Sequence, residues 1–412
     1  MQIKFPIITL SLLLPLMSKA VVFNVNTFDD LIDINPGDGI CEATVSTGDC
    51  SLRAAINETN ALPSADTIEV PAGTYVLTLL GNDDFGLVGD LDSTSVDLII
   101  SGAGMNQTII DGGSTDRIFD ISQSNLTIRD LTLQNGGDPV STVSGGAMIY
   151  AGSPSHSLIL ERVKFDNNRA NSAAGLYAVG STDNRSQVSI TESVFINNST
   201  VDLGITNQFG PAIFCNDCDM IAQAITVSHS GSGQKAIRVE GGSLELINST
   251  ISHNQEGGIR STNADVLVKF STFYENGSQD LSFFSFDDSN QFQVGYSVFQ
   301  TSININCQAG DLPESLGYNV TSDDSCEFNM VGDTQLKDAE LGLLGANGGL
   351  TQTHLPSLSS MLINQVPMAN CLDLMNNPLM QDQRGFERPV DSLCDIGSVE
   401  LNTDVIYRNG FE

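Results

Sequence analysis

The sequence predicts an all-β protein: a right-handed parallel β-helix, or solenoid, with a short helical cap at its N-terminal end and an irregular, disulfide-containing cap at its C-terminal end. Two observations predict this fold. Seven segments of the 412-residue chain superpose with spacings of 22 to 32 residues, which is typical of a repeat protein with one structural unit per turn. Within each segment apolar residues alternate with polar ones, as in strands that bury one face.

The seven segments set the register of the predicted solenoid. They begin at Leu126, Leu158, Val188, Met220, Leu244, Val266 and Phe292. If the first residue of a segment is position zero, then positions zero, two and seven are apolar. A second short apolar strand follows most segments after a corner rich in Gly or Asn, so that one repeat forms one coil. A β-propeller is the main alternative, but its blades need about 40 residues or more, which exceeds every spacing here.

Polar residues also recur at fixed positions of the repeat. Asparagine occupies position ten in four segments, which predicts a ladder of hydrogen-bonded amides at one corner. These asparagines are Asn168, Asn198, Asn254 and Asn276. His229 and His253 share position nine, where a corner hydrogen bond is favoured because two ligands make a poor metal site. Asp130, Arg162 and Glu192 share position four and predict an outward ladder of alternating charge.

The two ends of the chain divide into further segments. Residues 1–20 combine an early Lys4, an apolar run and small residues at the end, as a cleaved secretory signal peptide does. The apolar run is shorter than the ~20 residues that span a bilayer, so no transmembrane segment is expected after cleavage. The predicted organisation is a signal peptide at 1–20, an N-terminal cap at 21–62, the β-helix at 63–305, a C-terminal cap at 306–400 and a tail at 401–412.

The charge of the chain limits its partners. Its 50 acidic and 17 basic side chains give a formal charge of −33, which argues against nucleic acid and favours cations such as Ca²⁺. Asp83, Asp84, Asp90 and Asp92 cluster in one loop and are the candidate calcium ligands. They match no EF-hand spacing, and an acidic loop exposed to water is the alternative. Calcium is the one cofactor that the sequence suggests.

The eight cysteines fall into four pairs of sequence neighbours. Export through a secretory route makes disulfides the expected state. Proximity alone favours the pairs Cys41–Cys50, Cys215–Cys218, Cys307–Cys326 and Cys371–Cys394, and other connectivities stay open. The CxxC motif of Cys215 and Cys218 has no second pair at zinc spacing, so it predicts a structural bridge rather than a metal or redox site.

Two alternating motifs of the repeat resemble a known family. Phe165–Asn168, Phe195–Asn198 and Phe273–Asn276 read FxxN, and Gly145–Met148 is similar to GGA[ILV]. These are the motifs of the polymorphic outer-membrane protein repeats. The resemblance covers about residues 126–300 and implies a β-helix at a cell surface with an adhesive role.

The predicted caps resemble two further families. Gly48–Asn57 resembles the CSLREA segment of secreted bacterial β-helix proteins, although Ala54 replaces the Glu of its capping box. Asn347–Thr353, Gln381–Gly385 and Cys394–Glu400 resemble the choice-of-anchor Q domain, which accompanies surface-attachment signals. These resemblances imply secretion from, or display on the cell surface of, a Gram-negative bacterium. The C-terminal tail resembles a short sorting signal.

The sequence favours a non-catalytic function. Basic groups that could bind an acidic polymer are scarce, so we expect an exported surface or extracellular protein that acts in adhesion or as a scaffold. Its partner would be a glycan or a host or cell-surface ligand. The alternative is a polysaccharide lyase or glycoside hydrolase on the same β-helix, because the fold does not decide between them. In that case Asp130, Arg162 and Glu192, on adjacent coils, are the candidate catalytic residues.

Overall fold

The computed structural model describes the chain from Ala20 to Asn402 with short gaps. The gaps are residues 63, 82, 96, 123, 138–144, 153–155, 202–209, 232, 287–288, 309 and 391. The predicted signal peptide, apart from Ala20, and the tail beyond Asn402 lie outside the described residues. Within the described part of the chain, no helix has both the length and the apolar character that a membrane crossing requires.

The described residues form one α-helix and thirty strands. The helix, α1, spans Leu52–Ala61. The strands are β1 (Val22–Asn24), β2 (Ala65–Val70), β3 (Gly73–Val76), β4 (Leu91–Ser93), β5 (Asp97–Gly102), β6 (Thr108–Asp111), β7 (Phe119–Ser122), β8 (Asn125–Gln134), β9 (Met148–Ala151), β10 (Ser157–Asp166), β11 (Arg169–Ala170), β12 (Leu176–Val179), β13 (Ser186–Thr191), β14 (Val194–Ile196), β15 (Ser199–Thr200), β16 (Ile213–Gln223), β17 (Thr226–Ser228), β18 (Ile237–Ile247), β19 (Thr250–Ser252), β20 (Ile259–Thr262), β21 (Asp265–Lys269), β22 (Thr272–Tyr274), β23 (Gln279–Phe284), β24 (Phe292–Gly295), β25 (Val298–Gln300), β26 (Ile305–Cys307), β27 (Glu314–Gly317), β28 (Val320–Thr321), β29 (Val366–Pro367) and β30 (Leu393–Cys394).

Parallel pairing between successive coils arranges the strands in three long faces. Sheet A contains β4, β7, β9, β12, the first halves of β16 and β18, β20, β23 and β26. Sheet B contains β1, β2, β5, the first halves of β8 and β10, β13, the second halves of β16 and β18, β21, β24 and β27. Sheet C contains β3, β6, the second halves of β8 and β10, β14, β17, β19, β22, β25 and β28. The chain passes from A to B to C and returns to A one coil further on. This is the right-handed parallel β-helix that the sequence predicts.

The register between coils confirms the predicted repeat. The position-zero residues pair in order along sheet B: Leu126, Leu158, Val188, Met220, Leu244, Val266 and Phe292. The position-seven residues pair in the same way along sheet C. The solenoid also extends beyond the seven segments, since Leu98 of β5 pairs with Leu126 and β28 continues sheet C after β25.

The inward side chains form one continuous core. The rings of Phe165 and Phe195 stack with centroids 4.5 Å apart, and those of Phe273 and Phe299 stack at 4.7 Å. All four side chains are fully buried. Because one coil lies ~4.8 Å above the last, the same position in successive coils brings aromatic rings into contact. The apolar positions of the repeat are therefore the positions that hold the coils together.

The predicted asparagine ladder is present and buried. Asn168 Nδ2 donates to Asn198 Oδ1 at 3.0 Å, and Asn254 Nδ2 donates to Asn276 Oδ1 at 2.9 Å. Ser230 stands between the two pairs, where its backbone N–H donates to Asn254 Oδ1 at 3.1 Å. The amides thus satisfy one another and the backbone at a corner that is closed to water.

Replacing Asn254 by Ala is expected to lower the free energy of unfolding by about 1–3 kcal/mol, because buried polar groups on both neighbouring coils would lose a partner. The Val227 carbonyl oxygen is one of them, since it accepts from Asn254 Nδ2 at 3.0 Å. Urea denaturation measures the effect. The matched control is Gln293→Ala, which removes a half-exposed amide and should change stability by about 0.5 kcal/mol or less. Equal effects of the two substitutions would contradict a supporting role for the ladder.

The position-four and position-nine residues occupy corners with left-handed backbone. The φ angles of Asp130, Arg162 and Glu192 are 59°, 55° and 47°. Arg162 Nε donates to Asp130 Oδ1 at 2.6 Å, and Arg162 Nη1 lies 3.8 Å from Glu192 Oε2, so the ladder of alternating charge is present. The rings of His229 and His253 stack 5.3 Å apart, and His253 Nδ1 lies within hydrogen-bond distance of Ser252 Oγ at 2.6 Å.

Helix α1 closes the N-terminal end of the solenoid. Ser51 is its N-cap and accepts from the Ala54 N–H at 3.0 Å. The helix is buried around its whole circumference rather than on one face. The reason is that its polar residues have hydrogen-bond partners: Arg53 donates from Nε to Asp30 at 2.6 Å, and the Glu58 carboxylate accepts backbone N–H groups of the preceding loop.

The predicted C-terminal cap has two parts. Cys326 and Phe328 belong to the main core and cover the last coil. The chain from Ala339 onward instead packs against outward-facing residues of the solenoid in a second core. That core includes Ile247, Phe270, Tyr296, Val298, Ala339, Leu362, Val366, Leu379 and Ile396. Corner residues such as Phe270 and Tyr296 are apolar and point outward, so this flank of the solenoid needs a covering segment.

Four disulfides join the sequence neighbours that proximity favoured. They are Cys41–Cys50, Cys215–Cys218, Cys307–Cys326 and Cys371–Cys394. Their Cα–Cα distances lie between 4.9 and 6.2 Å, which suits a disulfide. Two of the four belong to the C-terminal region, where regular strands are few and a covalent bridge limits the freedom of the unfolded chain.

Candidate functional site

A groove lies on the outer side of sheet A, next to the corner where each coil turns into sheet B. Its volume is about 610 Å³. Its lining residues are Thr182, Arg185, Asn216, Asp217, Arg238, Glu240, Gly241, Arg260, Thr262, Asn263 and Phe286. Three of the 17 basic residues of this acidic chain therefore meet in one place, which we call the arginine groove.

The repeat places two of these arginines one above the other. Arg238 in β18 pairs in register with Arg260 in β20. The preceding residues, Ile237 and Ile259, are fully buried, so the arginines face outward because side chains alternate along a strand. Phe214 precedes Arg238 in the same column. Successive coils thus present positive charge at the spacing of one coil, ~4.8 Å.

The three arginines differ in their partners. Arg185 lies 3.4 Å from an oxygen of Asp219, and Arg238 Nε donates to Glu240 Oε1 at 2.9 Å. Arg260 forms no ion pair with a described carboxylate, and its Nε is buried with no hydrogen-bond partner among the described residues. Burial, followed by repulsion from Arg238, lowers the pKa of the Arg260 guanidinium. A bound anion would give the half-exposed guanidinium the charged partner that no described carboxylate supplies.

Aromatic rings flank Arg260. Its guanidinium lies 4.9 Å from the centroid of the Phe284 ring, which is a cation–π contact. Phe286 is 82% exposed at the edge of the same groove, and its backbone N–H donates to Asn263 Oδ1 at 3.0 Å. The groove is therefore suited to a ligand that has both an apolar face and an anionic group.

Two carboxylates also line the groove. Glu240 lies on the same side of β18 as Arg238, and Asp217 lies at the bend of β16 on the preceding coil, where its φ is 50°. Gly241 leaves room for Asp217, since a Cβ at Gly241 would lie 2.5 Å from Asp217 Oδ1. The groove therefore combines cations that bind anions with carboxylates that can exchange protons.

The residues that the sequence offered as catalytic candidates lie elsewhere. Asp130, Arg162 and Glu192 stand at the corner between sheets B and C, where they contact one another. None of them lines the arginine groove. The structure brings the three side chains together, but as a charge ladder on a different edge of the solenoid.

The structure brings together two of the four predicted calcium ligands, Asp90 and Asp92. Oxygens of Asp90, Asp92 and Asp120 all lie within 4.8 Å of one another. Asp83 instead accepts backbone N–H groups of its own loop, and Asp84 is exposed. The sequence did not single out Asp120 because it lies on the next coil, where the pairing of β7 with β4 sets it directly beside Asp92.

The pKa values of these three carboxyl groups are raised, with burial as the largest cause. The pKa of Asp90 rises to about 8 and that of Asp92 to about 6, and the pKa of Asp120 is also raised. Arg117 acts in the opposite direction and lowers the pKa of Asp90 and Asp120. Its Nη1 donates to Asp120 Oδ2 at 2.7 Å, and its Nε lies 3.2 Å from Asp90 Oδ2. The folded chain thus favours protons or a bound cation at this cluster.

The predicted calcium site is tested by melting the protein with Ca²⁺ and with a chelator. Ca²⁺ is expected to raise Tm, because an ion that binds only the folded state stabilises it, by about 2.7 kcal/mol at about 100 times Kd. Asp120→Asn should abolish the rise. Asp183→Asn, which removes an exposed carboxylate, should keep it. Equal Tm values in the two solutions would contradict the calcium prediction.

The fold is shared with a known enzyme. The structure is similar to pectate lyase Pel9A, with a TM-score of 0.54, 12% sequence identity and coverage of 94% of this chain and 98% of that chain. It also matches the A-module of the Azotobacter vinelandii mannuronan C-5 epimerase AlgE6, with a TM-score of 0.33, 18% identity and coverage of 76% and 95% of the two chains. The latter similarity is too low to support a conclusion.

The similarity to Pel9A shows the class of fold: a right-handed parallel β-helix of the pectate lyase type. At 12% identity it shows the fold alone. No protein-family model and no curated protein matches the chain. The family resemblances of the repeats and the two caps therefore stay predictions.

Analysis of the sequence missed the arginine groove, although a signal for it was present. The dipeptides Ile237-Arg238 and Ile259-Arg260 stand at the same place in successive repeats. Asp217 and Phe286 give no signal of their own, because they enter the groove from corners of variable length.

Proposed function

We propose that this protein binds an acidic polysaccharide in the arginine groove and cleaves it there. The observation that carries the proposal is Arg260, whose partly buried guanidinium has no carboxylate partner among the described residues. Acidic residues outnumber basic ones by 50 to 17 in this chain. A partly buried cation without a partner costs desolvation energy, which a ligand carboxylate would offset.

The lining of the groove supports a polysaccharide as the ligand. The residues come from several consecutive coils, so the groove runs along the solenoid and suits an extended polymer. Asn216, Thr262 and Asn263 offer amides and a hydroxyl for sugar hydroxyls. Phe286 offers an exposed ring for the apolar face of a sugar. The structurally similar Pel9A is a pectate lyase, and the proposal gives this chain a ligand of the same kind.

The carboxylates of the groove support cleavage as well as binding. A carboxylate repels an acidic ligand, so neither Asp217 nor Glu240 improves affinity. Carboxyl groups are the usual proton donors and acceptors when a glycosidic bond is broken, and these two stand on adjacent coils beside the arginines. The four disulfides support an extracellular setting. A non-catalytic adhesive or scaffold protein, which the sequence favoured, would share the binding step and lack turnover.

Isothermal titration calorimetry with polygalacturonate and with its methyl ester tests the binding step. The esterified polymer keeps the sugar backbone and lacks the charge, so we expect binding of the acid alone, weakened by salt. Cleavage is read as new reducing ends and as ultraviolet absorbance of unsaturated products. Binding without products would retain the first half of the proposal and reject the second. No binding of polygalacturonate, alginate or other acidic polymers would overturn it entirely.

A further inference from the structure

Glu240 and Arg238 form an ion pair inside the arginine groove. They lie two residues apart on β18, so both side chains point to the outer side of sheet A. Nε and Nη2 of Arg238 both donate to Glu240 Oε1, Nε at 2.9 Å. The Glu240 side chain is 29% exposed and that of Arg238 is 11% exposed. The guanidinium is therefore the less exposed member of the pair.

Contacts other than Glu240 also hold the Arg238 guanidinium. It lies 5.9 Å from the centroid of the Phe214 ring, and its Nη1 lies 3.5 Å from Gln234 Oε1. Loss of the Glu240 contact would therefore leave Arg238 in place. Arg260 has the same outward position on the next coil and forms no ion pair with a described carboxylate. The two arginines thus differ in whether a described carboxylate pairs with them.

We propose that Glu240 pairs with Arg238 in the place of a ligand carboxylate, and that a polymer with adjacent acidic sugars displaces the Glu240 carboxylate from Arg238. The inference rests on the proposed function and adds how that site selects its ligand. An isolated acidic sugar binds Arg260 alone. Adjacent acidic sugars reach both arginines, which lie one coil apart, and the second contact offsets the loss of the Glu240 pair. Glu240 therefore weakens the second contact and limits how strongly the site prefers polymers of high charge density over isolated acidic sugars.

Glu240→Gln tests this selection, because it removes the charge and keeps the shape of the side chain. Affinity for polygalacturonate is expected to rise about fourfold, since a like charge ~5 Å from the ligand carboxylate costs about 0.8 kcal/mol even in water. Affinity for a half-esterified polymer, which reaches both arginines less often, should rise less, so that the ratio of the affinity for polygalacturonate to the affinity for the half-esterified polymer rises. Calorimetry at constant salt measures both. The control is Glu245→Gln, which removes a charge from the sheet B half of the same strand and should leave the ratio unchanged.

Two comparisons separate this inference from the proposed function. In an Arg238→Gln background, Glu240→Gln should give a smaller gain in affinity, because no Arg238 then holds a ligand carboxylate beside Glu240. Glu240→Ala should change the ratio in the same direction as Glu240→Gln. An unchanged ratio in both Glu240 variants, with binding by the wild type intact, would overturn this inference alone. Failure of the wild-type protein to bind acidic polymers would overturn the proposed function instead.

Discussion

Arg260→Gln is expected to weaken binding of acidic polysaccharide about 10- to 100-fold. This range corresponds to about 1.5–3 kcal/mol, the contribution of a hydrogen bond to a charged group. The effect is large because Arg260 pairs with no described carboxylate, so a ligand carboxylate adds an anionic partner to its cation–π contact with Phe284. Arg260→Lys should lose less, since it keeps the charge but not the planar two-pronged donor. Calorimetric titration with polygalacturonate measures each loss.

Arg129→Gln is the matched control for this prediction. Arg129 faces outward from sheet B, where its Nε donates to Ser101 Oγ at 3.3 Å, and it does not line the groove. Its replacement removes the same charge from the protein and should leave affinity close to that of the wild type. Affinity of the wild type should also fall with salt more steeply than that of Arg260→Gln. Equal affinities of Arg260→Gln and Arg129→Gln would show that the ligand binds elsewhere.

Arg388→Ala is expected to destabilise the protein by about 3–5 kcal/mol, the cost of breaking a buried ion pair by removing one partner. Arg388 is fully buried, and its Nε donates to Glu400 Oε2 at 3.0 Å. Its Nη1 donates to Asn248 Oδ1 at 2.9 Å, and its guanidinium lies 5.0 Å from the Phe270 ring. Arg388 therefore joins the C-terminal segment to the corner between sheets B and C. The loss of Arg388 should destabilise the C-terminal segment that covers this flank before it destabilises the coils of the solenoid.

Urea denaturation and limited proteolysis measure this effect together. In Arg388→Ala we expect early cleavage in the segment between Ala339 and Glu400, while the coils stay resistant. Arg169→Ala is the control, because Arg169 is exposed and its replacement should change stability by about 0.5 kcal/mol or less. A loss in Arg388→Ala as small as that of the control would show that the pair contributes little to the docking of the flank.

The architecture of the solenoid was predictable because its information is local and repeated. Each coil carries its own alternation of apolar and polar residues, and seven copies aligned Leu126 with Phe292 through five intermediate coils. The disulfides were predictable for a related reason, since each joins cysteines no more than 23 residues apart. The alternation of apolar and polar residues was less informative before Leu126. It did not identify Leu98 as the residue that pairs with Leu126 on the preceding coil.

The candidate site was not predictable in the same way. Arg185, Arg238, Arg260 and Phe286 lie on different coils, and the spacings between them depend on corners of unequal length. The alternation of apolar and polar residues along a strand shows that an arginine faces outward. It does not show which other outward residues that arginine contacts. Asp120 illustrates the same limit, since it joins Asp92 only through the pairing of β7 with β4.

By itself, the sequence determined which side chains enter the core and how successive coils align. Those features follow from burial of apolar residues within one repeat, and each copy of the repeat carries the pattern. Only the tertiary structure decided which polar side chains meet on the outer surface: the arginine groove, the carboxylates beside Asp90 and the flank anchored by Arg388. The physical reason is that outward side chains are not selected by burial against the next coil, so their neighbours are set by the lengths and paths of all the corners between them.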